Sequence, residues 1–197
     1  TTSIQLAEVA VATRKWAMLN PKAFMRDPIG IDDVLNSRLI AWPFHLLDCC
    51  LVTDAGGAVI VTSAERARNL RQPPVYVLGT GEAVSHLHMS QWSDMPEVVA
   101  KDSARRAFAQ AGIRAQDVDV LQTYDAFTIM VLLSLEAMGF CGRGEGGPFV
   151  ESGALAPGGA LPTNTDGGAL AANHPGMRGV FLLIEAARQL RGECGDR

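Results

Sequence analysis

No apolar run in this sequence reaches the ~18–20 residues needed to cross a bilayer, so nothing in it reads as a membrane span. A basic excess is lacking too: 17 lysines and arginines stand against 21 acidic residues, for a net charge of −4. Nucleic-acid binding as the main role normally shows as a basic surplus, and that class is set aside, although a local basic patch for a phosphorylated ligand remains compatible with the balance. The opening Thr1-Thr2-Ser3-Ile4-Gln5 has neither the basic start nor the apolar stretch of a secretory leader. Cysteines at 49, 50, 141 and 194 form no CxxC pair and no dense framework. That excludes a small disulfide scaffold and leads us to expect reduced thiols in the cytoplasm. His86 and His88 could share one strand face, but no cysteine or carboxylate cluster accompanies them, and no metal is expected.

What is present suits a folded chain: 48% hydrophobic and 19% charged residues over 197 positions, enough for one large or two small domains. Leu6, Val9, Ala10, Thr13, Trp16 and Ala17 recur at helical spacing until Asn20-Pro21 ends the run. Ile31 to Leu35 reads as one helical turn. Ala58-Val59-Ile60-Val61-Thr62 is a β-branched strand, and Ser63 then caps a short helix. Arg71-Gln72-Pro73-Pro74 is the clearest linker, which divides the chain into 1–72 and 73–197. Beyond it, strands are predicted at 75–79, 118–123 and 161–170. Helices are predicted from Glu97 to Ala111, from Thr128 to Met138 (apolar on nearly every face, hence buried) and from about Pro175 to Arg191. Such alternation implies an α/β fold with a mostly parallel sheet covered by helices, whose sites lie where strands give way to helices. Tyr124 and His174 both fall at such joins.

In the stretch Thr165 to Gly179, Pro175 suits the first helical position, which would set Asn173 or His174 at the N-cap. The free N–H groups and partial positive charge of a helix start would keep an imidazole neutral. A neutral imidazole takes a proton from a thiol or carbon acid, or donates to a developing oxyanion. Gly167 and Gly168 allow close approach to the backbone. A Gly-rich turn whose histidine merely caps a helix fits the same residues. Tyr124-Asp125-Ala126-Phe127-Thr128 carries the second constellation: the phenol could act as acid or hydrogen-bond donor, or could simply pack. Asp125 and Thr128 also suit a helix start.

Taken together, Gly167-Gly168 followed by His174-Pro175, and Tyr124-Asp125-Ala126-Phe127, resemble motifs of the thiolase superfamily. The match is to its SCP2-thiolase-like or lipid-transfer-protein branch, and the segments 31–38, 47–50 and 144–150 carry the likeness along the chain. Asn173 stands where that motif has glycine. Tyr124 stands where it has an amide or imidazole. The resemblance implies a thiolase-like layered α/β fold, with 1–72 as the end of the first half and 73–197 as most of the second. It implies His174 as the residue that activates the reacting thiol and lines an oxyanion hole, with Tyr124 facing it. Asp125, Phe127, Cys50, Gly167, Gly168 and Asn173 would surround the substrate, Phe127 packing on the pantetheine arm of coenzyme A. The Cys49-Cys50 pair reads as packing rather than as a nucleophile.

Family members are roughly double this length, so the resemblance implies a fragment, a partly observed chain or a piece completed by a partner. The segments bearing both family cysteines would lie outside it. Coenzyme A is expected as co-substrate, with no covalently bound cofactor. A homodimer is expected, with an acyl-CoA-binding partner subunit in some branch members. Three activities follow in order: thiolysis or Claisen condensation of acyl-CoA, aldol cleavage of a 3-hydroxyacyl-CoA with Tyr124 as acid or base, and non-catalytic acyl binding. A cysteine nucleophile separates the first two, because only thiolysis needs an acyl-enzyme.

Overall fold

The computed structural model describes residues 1–197 apart from Ser93, 95–97 and the Met89 side chain. Helix α1 spans Ser3–Leu19 and begins at a reciprocal cap, in which the Gln5 N–H donates to the Thr2 hydroxyl and the Thr2 N–H to the Gln5 side chain. All six positions of its predicted stripe are buried, from Leu6 to Ala17. Short α2 (Ile31–Leu35) packs on it, followed by the antiparallel pair β1 (Leu39–Ala41) and β2 (Phe44–His45) and by a 3-10 turn at Leu46–Asp48. Ser63 caps α3 (Ala64–Ala67) as expected.

Helix α4 covers Ala100–Ala111 and stops at Gly112 in the left-handed region, φ 70°. Its predicted start at Glu97 lies outside the described residues. Helix α5 occupies Thr128–Met138 as predicted, burying Thr128, Val131, Leu132 and Leu135. Helices α6 (Gly146–Glu151) and α7 (Gly179–Leu190) complete the set. Leu6, Val9 and Ala12 of α1 share one core with Leu121, with Val131, Leu132 and Leu135 of α5, and with Leu155, Leu161 and Leu170. That core draws residues from both sides of the linker expected at position 72.

Three sequence expectations need correction. The predicted strands at 58–62 and 75–79 have no ladder partner among the described residues, and Ile60 and Val61 are 91% and 84% exposed. β-Branched residues favour an extended backbone locally, but a strand exists only against a neighbour. In 118–123 and 161–170 pairing is confined to one parallel bridge, Leu121 to Thr163, in which the Leu121 N–H donates to Pro162 and its carbonyl accepts from Asn164. Residues Gly168–Ala172 wind into a π-helical turn instead of extending the strand. The third correction concerns the last helix: it starts at Gly179 with Arg178 as its cap, so neither Asn173 nor His174 lies at its N-terminus.

Candidate active site

Thr123 donates its backbone N–H to the Asn164 side chain at 2.9 Å, which anchors the segment entering Tyr124 against the parallel bridge. From there the chain passes through Asp125 and Ala126 into α5, whose first residue, Thr128, donates its hydroxyl to buried Asp48 at 2.9 Å. On the other side, Gly167 (φ 102°) and Gly168 (φ 62°) open the π-turn in backbone conformations that L side chains rarely adopt. Gly168 is required for a second reason: a Cβ there would run into the Asp125 carboxylate. Asn173 and His174 leave this turn directly.

The two expected residues meet. The Tyr124 hydroxyl and His174 Nε2 lie 2.7 Å apart, with the rings edge to face at 79° and centroids 5.7 Å apart. Both side chains are half-buried, enclosed yet reachable. His174 owes its place to Thr53 rather than to a helix terminus. The His174 N–H donates to the Thr53 hydroxyl at 2.9 Å, and the Thr53 N–H donates back to the His174 carbonyl. The dipole argument for this imidazole therefore falls away, since helix-end charge acts only within the first turn.

Asp125 stands behind the pair and is fully buried. Its carboxylate accepts the N–H groups of Ala169 at 2.8 Å and Leu170 at 3.3 Å, so it holds the π-turn. Burial pushes its pKa up to about 6, against the opposing pull of the Arg178 guanidinium and these two N–H groups. A raised folded-state value means that the folded protein binds more protons than the unfolded one between the two values. The contribution of Asp125 to stability is thus complete below about 4 and is lost as pH rises through about 6. Chemical denaturation from pH 4 to 7 should show a downward slope from this residue of at most about 1.4 kcal/mol per pH unit. The difference between wild type and Asp125→Asn should isolate it; an identical slope in both would refute the assignment.

Phe127 is 42% exposed and packs on Phe44 at 6.0 Å, leaving apolar surface beside the pair. Cys49 bridges to Phe127, and the Cys50 N–H donates to the Ala126 carbonyl at 2.9 Å. Burial, foremost, raises the pKa of both thiols and so disfavours their thiolates, in keeping with a packing role. His86, set aside as a ligand, shares a 2.7 Å hydrogen bond with Ser85 and lies against Trp92.

Sequence reasoning missed Thr53, Asp166 and Arg178. The Arg178 side chain is fully buried; its Nη2 donates to the two Asp166 oxygens at 2.5 and 2.6 Å, and its Nη1 donates to the Asn173 carbonyl and Oδ1. One signal was readable. A cation at a helix start opposes the macrodipole, so an arginine just before α7 needs another reason to be there. Nothing in the residues around Thr53 marks it out.

Helices alternate with bridged segments along the chain, and a phenol and an imidazole meet in the loops between them. Residues 81–197 match the family model described as "Thiolase C-terminal domain-like". The chain belongs to the thiolase family through that domain. It is 42% identical, over 97% of its length and 50% of the relative's, to "17-hydroxy-3-oxo-4-pregnene-20-carboxyl-CoA lyase" of Mycobacterium tuberculosis. An "Acetyl-CoA acetyltransferase" of Methanothermobacter thermautotrophicus is 36% identical over 100% of this chain and 52% of its own. Among solved structures, "Ltp2-ChsH2(DUF35) aldolase" superposes with a TM-score of 0.88 at 37% identity, covering 100% of this chain and 53% of that one. The thiolase-like α/β fold expected from the motifs is thereby established. The chain spans about half the length of the curated relatives it matches.

Proposed function

We propose that the protein containing this chain is a CoA-thioester aldolase that breaks the C2–C3 bond of a 3-hydroxyacyl-CoA. The carrying observation is the 2.7 Å contact between the Tyr124 hydroxyl and His174 Nε2. In a retro-aldol cleavage a base removes the proton of the 3-hydroxyl and the C2–C3 electron pair moves to C2 as an enolate of the thioester. C3 leaves as a carbonyl, and an acid returns a proton to C2. A phenol and an imidazole sharing one hydrogen bond supply such a base and acid and can pass the proton between them. No acyl-enzyme is needed, and the neighbouring Cys49 and Cys50 are poorly disposed to form one.

The lyase and aldolase names of two similar proteins support this order over thiolysis, and the acetyltransferase name keeps thiolysis as the reading to be tested against. We infer that the acyl group is bulky and apolar, of steroid type, with exposed Phe127 against the pantetheine arm. Asn173, Gly167 and Gly168 then support the histidine loop. The structural neighbour is an Ltp2-ChsH2(DUF35) aldolase, which supports a DUF35-type partner subunit beside a homodimer. Among the described residues no helix is long and apolar enough to cross a membrane.

The test is the demand for free coenzyme A. Intact protein, with its partner where one is required, should convert a 3-hydroxyacyl-CoA to a carbonyl compound and a shortened acyl-CoA with no coenzyme A added. Cleavage of a 3-oxoacyl-CoA that proceeds only with added coenzyme A would establish thiolysis instead. Sedimentation of the intact protein as a monomer alone would refute the dimer.

A further inference from the structure

Arg178 heads the fully buried side chains by volume. Its three donor nitrogens face three different segments. Nη2 forks onto Asp166 at 2.5 and 2.6 Å. Nη1 donates to the Asn173 carbonyl at 3.2 Å and to its Oδ1 at 3.1 Å. Among the described residues Nε has no hydrogen-bond partner, and it lies 3.8 Å from Asp125 Oδ1. Two of these neighbours adjoin the acid–base pair along the chain: Asn173 precedes His174, and Asp125 follows Tyr124.

A buried guanidinium is a costly way to hold a core together. Desolvation of such a pair usually cancels its attraction, and apolar residues of similar volume stabilise as well or better. What a guanidinium offers instead is rigidity, with planar donors in one fixed fork. The partners here fit that use. Asp166 is itself fixed, accepting the Gly168 N–H at 3.0 Å and holding the Asn20 side chain through its carbonyl at 2.7 Å. Asp125 is fixed by Ala169 and Leu170.

We propose that Arg178 is a positioning residue, a buried strut between Asp125 and Asn173 that sets the separation of the Tyr124 hydroxyl and the His174 imidazole. Its importance for turnover rests on the acid–base reading above; its control of the separation does not. Arg178 touches no reacting atom in this account. It acts by keeping two loop segments in register, where a shift of ~1 Å costs about 100-fold in rate.

The experiment uses the intact protein and two variants. In Arg178→Met/Asp166→Asn the guanidinium and the carboxylate it forks onto go together; the amide can still accept from Gly168, and buried Asp125 keeps the Ala169 and Leu170 N–H groups as its partners. Arg178→Lys keeps the charge without the fork, and it carries the same comparison should the double variant fail to fold. Crystal structures of the variants give the Tyr124–His174 separation, and steady-state kinetics on a 3-hydroxyacyl-CoA give kcat and KM. The double variant should open the separation beyond 3.5 Å and lower kcat about 100-fold with KM within about threefold, and the lysine variant should fall between it and wild type. An unchanged separation in the folded variants would overturn the strut, whatever happens to kcat. An opened separation with unchanged kcat would leave the strut standing and overturn the acid–base reading.

Discussion

Replacing His174 by alanine in the intact protein should lower kcat for 3-hydroxyacyl-CoA cleavage by ~10²–10⁴-fold, the range a positioned acid or base contributes. The geometry makes the loss specific. The backbone of residue 174 is held by Thr53 through groups that an alanine keeps, so the loop should stay in place and KM should change little. What disappears is the acceptor or donor 2.7 Å from the Tyr124 hydroxyl. Tyr124→Phe should cost a similar factor, because the ring keeps its edge-on packing and loses only the hydroxyl. If the two residues act as one relay, the double variant should be scarcely slower than either single one. Steady-state kinetics check all three; multiplied losses in the double variant would mean two independent roles.

Trp16→Ala should be among the most damaging core changes, at about 3–5 kcal/mol of stability. Trp16 sits on the inner face of α1, 4% exposed, and its indole N–H donates to the Leu155 carbonyl at 2.8 Å. Alanine would leave a cavity and also remove one of the two donors to the Leu155 carbonyl, which keeps the Thr163 N–H at 3.2 Å, so the cavity carries most of the cost. Trp16→Phe keeps most of the volume and loses the hydrogen bond, so its penalty should be clearly smaller. Denaturant unfolding measures both; equal midpoints for the two variants would place the cost in the hydrogen bond rather than the cavity.

Helices carry their own hydrogen bonds, which is why the buried stripe and C-terminal end of α1 and the bounds of α2 and α5 were legible from local sequence, although the Thr2 cap of α1 was not. Strand pairing depends on distant neighbours. Val59, Ile60 and Val61 advertise a strand, yet a ladder forms only where another segment lies alongside. The Pro175 signal misled for a local reason: Gly176 turns the chain through the left-handed region, φ 82°, and delays α7 to Gly179. The site was half readable. Tyr124 and His174 stood out because their residue types carry acid–base chemistry in recognisable motifs. Thr53, Asp166 and Arg178 hold them in place through contacts that link residues far apart in sequence, and periodicity does not record such contacts.

The most direct test of the acid–base pair is a single-turnover cleavage of a 3-hydroxyacyl-CoA by intact protein, with no free coenzyme A, comparing wild type with Tyr124→Phe. The account predicts one carbonyl product per site from wild type and a rate at least about 100-fold lower in the variant. Equal rates in the two proteins, or product that forms only once coenzyme A is added, would contradict it.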